Sequence, residues 1–150
     1  MELGEALSAF LEETIRKYNV TLEKQNDVIE LKNKENGNNV SIEKEDILSE
    51  TGEVGFTQYT VRFSTQHRHF NELKRALDYI TEILDDEVLP IEFYDDGGRP
   101  RFGGDISSDV FKELTASKLS KLFGYPVEYI EQFSYTVKSW SGKNDYDGRQ

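Results

Sequence analysis

An α+β fold with a largely antiparallel sheet is the class this sequence predicts, and three observations carry the prediction. Apolar residues repeat at helical spacing in three separate stretches. Between those stretches the period shortens to two, with polar residues on the alternate positions. Strand patterns cluster instead of alternating one for one with helices, which favours α+β over a parallel α/β sheet. The chain has 150 residues, the usual size of one domain. The expectation is therefore a single domain over residues 1–140, three amphipathic helices packed on one face of its sheet, and a polar, flexible tail over residues 141–150.

The first helical stretch runs from about residue 2 to 18, with Leu3, Leu7, Phe10, Leu11, Ile15 and Tyr18 on one stripe and Glu5, Glu12, Glu13, Arg16 and Lys17 opposite. Asn19 is a plausible stop. Val20 and Leu22, then Ile29 and Leu31, then Val40 and Ile42 alternate with polar residues. The NKENGNN run between the last two pairs tolerates positive φ and predicts a hairpin. Residues 45–55, EDILSETGEVG, read as a connecting loop. Tyr59, Val61 and Phe63 then alternate with Thr60 and Arg62 in the clearest strand, 56–63.

The period lengthens again over Phe70, Leu73, Leu77, Ile80, Ile83 and Leu84, with Asn71 as N-cap. Asp85, Asp86 and Glu87 end that helix with negative charge, which opposes the helix dipole at a cost of ~0.3–1 kcal/mol. Leu89, Ile91 and Phe93 form one face of a strand beginning beside Pro90. Its turn is Asp95-Asp96-Gly97-Gly98, and the chain returns through Arg99-Pro100-Arg101-Phe102. Ser107 or Ser108 then caps a helix through Phe123. Gly124 sits where a left-handed stop is needed, and Pro126 prevents continuation. The residues after it, from Val127 to Trp140, end in strict alternation of Phe133, Tyr135 and Val137 with Ser134, Thr136 and Lys138. No internal repeat or low-complexity segment is present.

Charge is the strongest global signal. There are 29 acids and 18 bases, a net charge of -11, and the isoelectric point is near 4.7 with a mean hydropathy of -0.68. Such a field repels nucleic-acid phosphate and anionic membrane and speeds encounter with basic partners. Solubility alone is the plainer explanation. The chain has no cysteine, so disulfides, thiol nucleophiles and cysteine-based zinc sites are excluded. The N-terminus lacks the basic and apolar regions of a signal peptide, and no apolar run approaches the ~18 residues of a membrane span. A cytoplasmic protein without nucleic-acid or membrane partners and without a cofactor is the expectation.

Three constellations stand out. Thr65-Gln66-His67-Arg68-His69 holds both histidines; on a continuing strand His67 and His69 share a face about 6–7 Å apart, close enough to share a metal. Two exposed histidines in a connection would look the same. At the 95–98 turn, Asp95, Asp96 and Asp105 suit a hard cation, but the EF-hand spacing is missing. Arg99 and Arg101 share a strand face and suit a carboxylate or phosphate; a hairpin stabilised by its own Asp–Arg pairs explains the same residues. Finally, residues 116–133, ASKLSKLFGYPVEYIEQF, resemble the spacing of a DNA-binding helix-turn-helix, with Gly124 at the turn and Ile130 and Phe133 facing inward. The would-be reading face carries Glu128, Glu131 and Gln132 and no cation, whereas such a helix needs cationic or amide side chains. A helix followed by a strand from Val127 is the competing reading.

No G-x-S-x-G context or isolated acid pair marks a catalytic centre. The sequence therefore points to a small acidic binding protein that neutralises or regulates a basic macromolecular partner, in the manner of immunity or inhibitor proteins. Its expected contact surface is Glu92, Tyr94, Asp95 and Asp96 with the Asp85, Asp86 and Glu87 cluster. A metal-dependent enzyme using His67 and His69 is the first alternative and a regulator acting through residues 116–133 the second. A homo-oligomer built on the 90–102 hairpin is a further possibility.

Overall fold

The computed structural model describes residues 2–149. They form a mixed α and β structure in two compact units, Met1–Leu84 and Asp85–Gln150. The strands divide between two antiparallel sheets, of five and four strands, instead of entering the one sheet expected. The division falls after Leu84, where the second helical stripe ends and Asp86 takes a left-handed φ of 56°. The first two predicted helices consequently belong to one sheet and the third to the other.

The first unit opens with α1 (Leu3–Ala6) and α2 (Ser8–Lys17), where a single helix was expected. Leu7 lies at the junction and remains buried with Leu3 and Leu11, so the stripe survives the break. It then drifts onto Thr14, which is buried and donates its hydroxyl to the Phe10 carbonyl, while Ile15 is exposed. Strands β1 (Val20–Gln25), β2 (Val28–Asn33), β3 (Asn39–Leu48), β4 (Val54–Phe63) and β5 (Gln66–Phe70) follow as a meander in sequence order. The β2–β3 hairpin forms at the predicted NKENGNN turn, with Gly37 at φ 77°.

Register places Leu31 opposite Val40, Ile29 opposite Ile42, and Ile42 opposite Val61. These residues, with Val20 and Phe63, are buried together with Ala76, Tyr79, Ile80, Ile83 and Leu84 of α3 (Leu73–Leu84). Fully burying each large aliphatic side chain contributes about 1.5–3 kcal/mol. The expected loop at 45–55 is instead the end of β3 and the start of β4, which pair as far as Leu48 and Val54. Alternation continues there, but glycines and acids hide it.

The second unit contains β6 (Val88–Tyr94), β7 (Pro100–Ser107), α4 (Ser108–Lys112), α5 (Ala116–Phe123), α6 (Val127–Ile130), β8 (Ser134–Val137) and β9 (Tyr146–Asp147). Its sheet order is β7-β6-β8-β9, so the strand that opens the unit becomes a central one. Ser107 caps α4 as expected, accepting the Val110 N–H. Thr115 starts a separate helix by accepting the Lys118 N–H. Gly124 ends α5 at φ 75°, the left-handed stop anticipated. Beyond it the expected strand does not begin. Pro126 is the N-cap of α6, Ile130 is buried, and the strand waits until Ser134. Residues 127–130 therefore turn as a helix because Ile130 reaches the core that way.

Leu89, Ile91, Phe93, Ile106, Leu119, Ile130 and Val137 make one buried cluster. Phe93 is its centre, stacked on Phe102 at 4.4 Å and edge-on to Phe123 at 5.5 Å. Gly104 lies under the Phe123 ring; a Cβ there would meet its Cε1 at 2.7 Å. The polar run after Trp140 turns back in the described residues. Asp145 accepts the Ser139 N–H and hydroxyl and pairs with Lys138 at 3.2 Å, and Tyr146 and Asp147 pair with Val137 and Thr136. Gln150, the last residue of the expected tail, lies outside the described residues.

Candidate functional site at the tip of the β6–β7 hairpin

The turn between β6 and β7 is built by Asp95. Its Oδ1 accepts the N–H groups of Gly97 at 2.9 Å and Arg99 at 3.0 Å, and its backbone N–H donates to the Arg99 carbonyl. Gly98 supplies the positive φ, 76°, that the turn requires. The other carboxylate oxygen lies 3.3 Å from Arg99 Nε and 3.5 Å from Arg101 Nη1. The Arg99 backbone N–H, together with the two guanidinium groups, holds the Asp95 carboxyl below its ordinary pKa. Its side chain is only 16% exposed. Arg99 and Arg101 do share a carboxylate, and it is the chain's own.

Asp95 is thus occupied in making the hairpin, a different task from the partner contact expected of it. Asp86 is similarly engaged, accepting the Ser141 N–H at 3.0 Å. Tyr94 is half-buried, with the Arg149 guanidinium 4.5 Å from its ring centre. Arg149 also clamps Asp147, which brings the Asp147 carboxyl down to about 2. Glu92 is half-buried, while Asp85, Glu87 and Asp96 remain exposed. Of the expected contact residues, Asp96 stands where the structure offers most.

Beside Asp96 opens a cleft of about 530 Å³, walled by the rings of Tyr129 and Phe133 and edged by Arg101, Glu131 and Gln132. The wall belongs to a larger aromatic group. Phe102 contacts Tyr125 at 4.8 Å and Phe133 at 5.5 Å, and Tyr129 sits between Tyr125 and Phe133 at 5.0 and 4.9 Å. Tyr125 is 39% exposed, and the Ser120 hydroxyl fixes its position by donating to its carbonyl. The αL stop at Gly124 and the α6 turn bring these rings together. Stacked and edge-on pairs of this kind contribute about 0.5–1.5 kcal/mol each beyond their burial.

Charge is distributed unevenly around the cleft. In the second unit the cations are largely spent internally: Lys112 on Asp109, Lys118 on Glu113, Lys138 on Asp145, Arg149 on Asp147, and both hairpin arginines on Asp95. Asp96, Glu128 and Glu131 have no ion pair among the described residues. The cleft thus sets the acids Asp96 and Glu131 beside the half-buried rings of Tyr129 and Phe133, with Arg101 turned to Asp95; carboxylates and ring quadrupoles both attract cations.

The histidines lie on β5 in the first unit and share a strand face as expected, their rings 5.1 Å apart. His69 Nδ1 is engaged by the Thr60 hydroxyl at 2.8 Å and Gln58 Nε2 at 3.0 Å. No group of three or more His, Cys, Asp or Glu side chains able to hold a metal occurs among the described residues. A second cleft in this unit, of about 560 Å³, lies along β5 and α3. There Arg68 lies over the rings of Phe70 and Tyr79, at 5.4 and 4.9 Å, and Arg75 pairs with Glu72. Its charges are mixed and partly self-satisfied, so it selects no sign of ligand.

The helix-turn-helix spacing at 116–133 does fold as helix, turn and helix. Its second helix is a single turn of four residues, too short to lie along a groove, and presents acids. Among the described residues no helix is long and apolar enough to cross a membrane. Fold and site together define an acidic α+β protein with an aromatic cleft. Compared with family models, curated proteins and solved structures, the chain matches none.

Proposed function

We propose that this is a binding protein that docks onto a basic macromolecular partner and neutralises or regulates it, as inhibitor and immunity proteins do. The observation that supports the reading is the cleft beside Asp96, where the carboxylates of Asp96 and Glu131, which form no ion pair among the described residues, line the same space as Tyr129 and Phe133. A lysine or arginine side chain of the partner fits that chemistry: the ring takes the stem and the cation, and Asp96 and Glu131 take the charge. Exposed Asp85 and Glu87 contribute to the long-range field that accelerates encounter. Compared with the surface read from sequence, the proposed contact keeps Asp96, and Glu131, Tyr129 and Phe133 take the place of Tyr94 and Asp95.

The test is an NMR titration with a synthetic Arg/Lys-rich peptide and a control peptide in which every cation is replaced by Glu. The reading expects shifts concentrated at Asp96, Tyr125, Tyr129, Glu131 and Phe133, abolished in the control and weakened by salt. Equal shifts from both peptides, or shifts that avoid these residues, would remove the cleft from consideration.

A further inference from the structure

The longest strands of the first sheet are β3 and β4, ten residues each, and their neighbours cover only part of them. β2 pairs with β3 no further than Glu43, and β5 pairs with β4 no further than Tyr59. Residues 45–58 consequently form a two-stranded ribbon whose outer edges carry no strand among the described residues. An isolated two-stranded hairpin is marginal in water, yet this one is carefully closed. Ser49 donates its N–H to the Glu53 carbonyl at 2.7 Å, and Gly52 takes φ 85°. The Thr57 hydroxyl donates to Asp46 across the strands.

The end of the ribbon is apolar and wet. Leu48 is 61% exposed, Val54 57% and Phe56 51%. Leu48 and Val54 are register partners, and Phe56 pairs with Ile47 in the adjacent rung. The register shifts between Ile47 and Leu48, and three large apolar side chains stand exposed within nine residues at this tip, an accumulation of the kind that marks a protein contact. Around them stand Glu45, Asp46, Glu50 and Glu53, and residues 45–58 contain no base. Glu45, Glu50 and Glu53 form no ion pair among the described residues.

We infer that the tip of the β3–β4 ribbon is a docking surface for a protein partner whose own surface is apolar at its centre and basic around it. Phe56, Leu48 and Val54 are the anchors, and the four acids set the sign of the partner. A second copy of this chain is the wrong occupant, because two tips brought together set carboxylate against carboxylate. An anionic membrane is repelled for the same reason. The surface uses residues separate from the cleft beside Asp96, so failure of either leaves the other standing.

The probe is a cationic amphipathic peptide of Leu and Lys, compared with its Leu and Glu counterpart and with a Lys and Ser peptide of equal charge. Backbone NMR of the full chain reads the location, and calorimetry reads the affinity. With the cleft beside Asp96 silenced by Asp96→Lys and Glu131→Lys, binding of the Leu/Lys peptide alone is expected, with shifts confined to residues 44–58. Phe56→Ser should weaken it about tenfold, as loss of an interface anchor does, and Glu50→Lys with Glu53→Lys should reduce its salt dependence. Both variants lie on the exposed tip, and an unchanged unfolding midpoint verifies that the fold is intact. Unaltered affinity in Phe56→Ser, binding of the Leu/Glu peptide, or shifts outside the ribbon would overturn the inference. So would concentration-dependent self-association that Phe56→Ser abolishes.

Discussion

Replacing Gly104 by alanine puts a methyl group where the Phe123 ring already lies. The new Cβ would meet Cε1 at 2.7 Å and Cζ at 3.3 Å, the shorter about 0.7 Å inside the 3.4 Å at which ordinary van der Waals contact begins. Backbone φ at Gly104 is ordinary, so the conflict is one of space. The β7 backbone is held by its ladder to β6, where Ile91 faces Gly104, so the ring must give way. Phe123 is half-buried and can swing outward, but it then leaves its edge-on contacts with Phe93 at 5.5 Å and Phe102 at 5.9 Å. Overpacking of this kind costs about 1–3 kcal/mol. Urea unfolding followed by tryptophan fluorescence reads the loss, since Trp140 is buried in the same unit. The decisive comparison is Gly104→Ala in a Phe123→Ala background, where the obstacle is gone and the penalty should fall to within about 0.5 kcal/mol of zero. An equal penalty in both backgrounds would refute the packing of α5 on β7.

Other expectations follow from the same contacts. Phe93→Ala should cost about 3–5 kcal/mol, read by chemical denaturation, because the ring is fully buried and touches Phe102, Phe123 and Tyr135. Asp147 titrates near 2 because Arg149 donates to it. A depressed acid stabilises the folded state above its unfolded pKa, so this contribution should disappear as pH falls from about 4 to about 2. In Arg149→Gln the carboxyl midpoint, followed by carbon NMR, should rise towards the ordinary value. Asp95→Asn keeps the acceptor for Gly97 and Arg99 and should perturb the hairpin less than Asp95→Ala, measured by amide exchange at Gly97 and Arg99. Thr60→Val removes the hydroxyl held by His69; it should cost about 1 kcal/mol and change the His69 ring-nitrogen shifts.

Elements with uninterrupted periodicity could be read from the residues alone. The Ile29/Leu31 and Val40/Ile42 alternation, the Phe93 strand, the Leu73–Leu84 helix and the Gly124 stop all depend on local rules, and the structure contains each of them. Where local rules compete, sequence misleads. Val127 and Ile130 favour a strand intrinsically, but burying Ile130 beneath a single helical turn satisfies the core better. The ribbon was hidden because Glu45, Asp46, Gly52 and Gly55 look like loop residues, although the pairing of β3 with β4 carries them. Division into two sheets was invisible because an apolar period reports burial and not which sheet buries it.

The candidate site was half legible. Asp95 and the two arginines were recognisable as a hairpin that pairs with itself, and that is how they are used. Asp96 was recognisable as exposed acid. The aromatic wall was missed, although Tyr125, Tyr129 and Phe133 recur every four residues. With Pro126 read as a helix start and not only as a stop, that spacing places three rings along one side of a turn.

Cation recognition by the cleft is read from association kinetics with a basic peptide across a salt series, comparing the native chain with Asp96→Lys combined with Glu131→Lys. If the cleft recognises a cation, the native on-rate falls steeply with salt and the variant binds more slowly, with a shallower salt dependence and no change in unfolding midpoint. A variant that associates as fast as the native chain, with the same salt slope, would rule out cation recognition by the cleft.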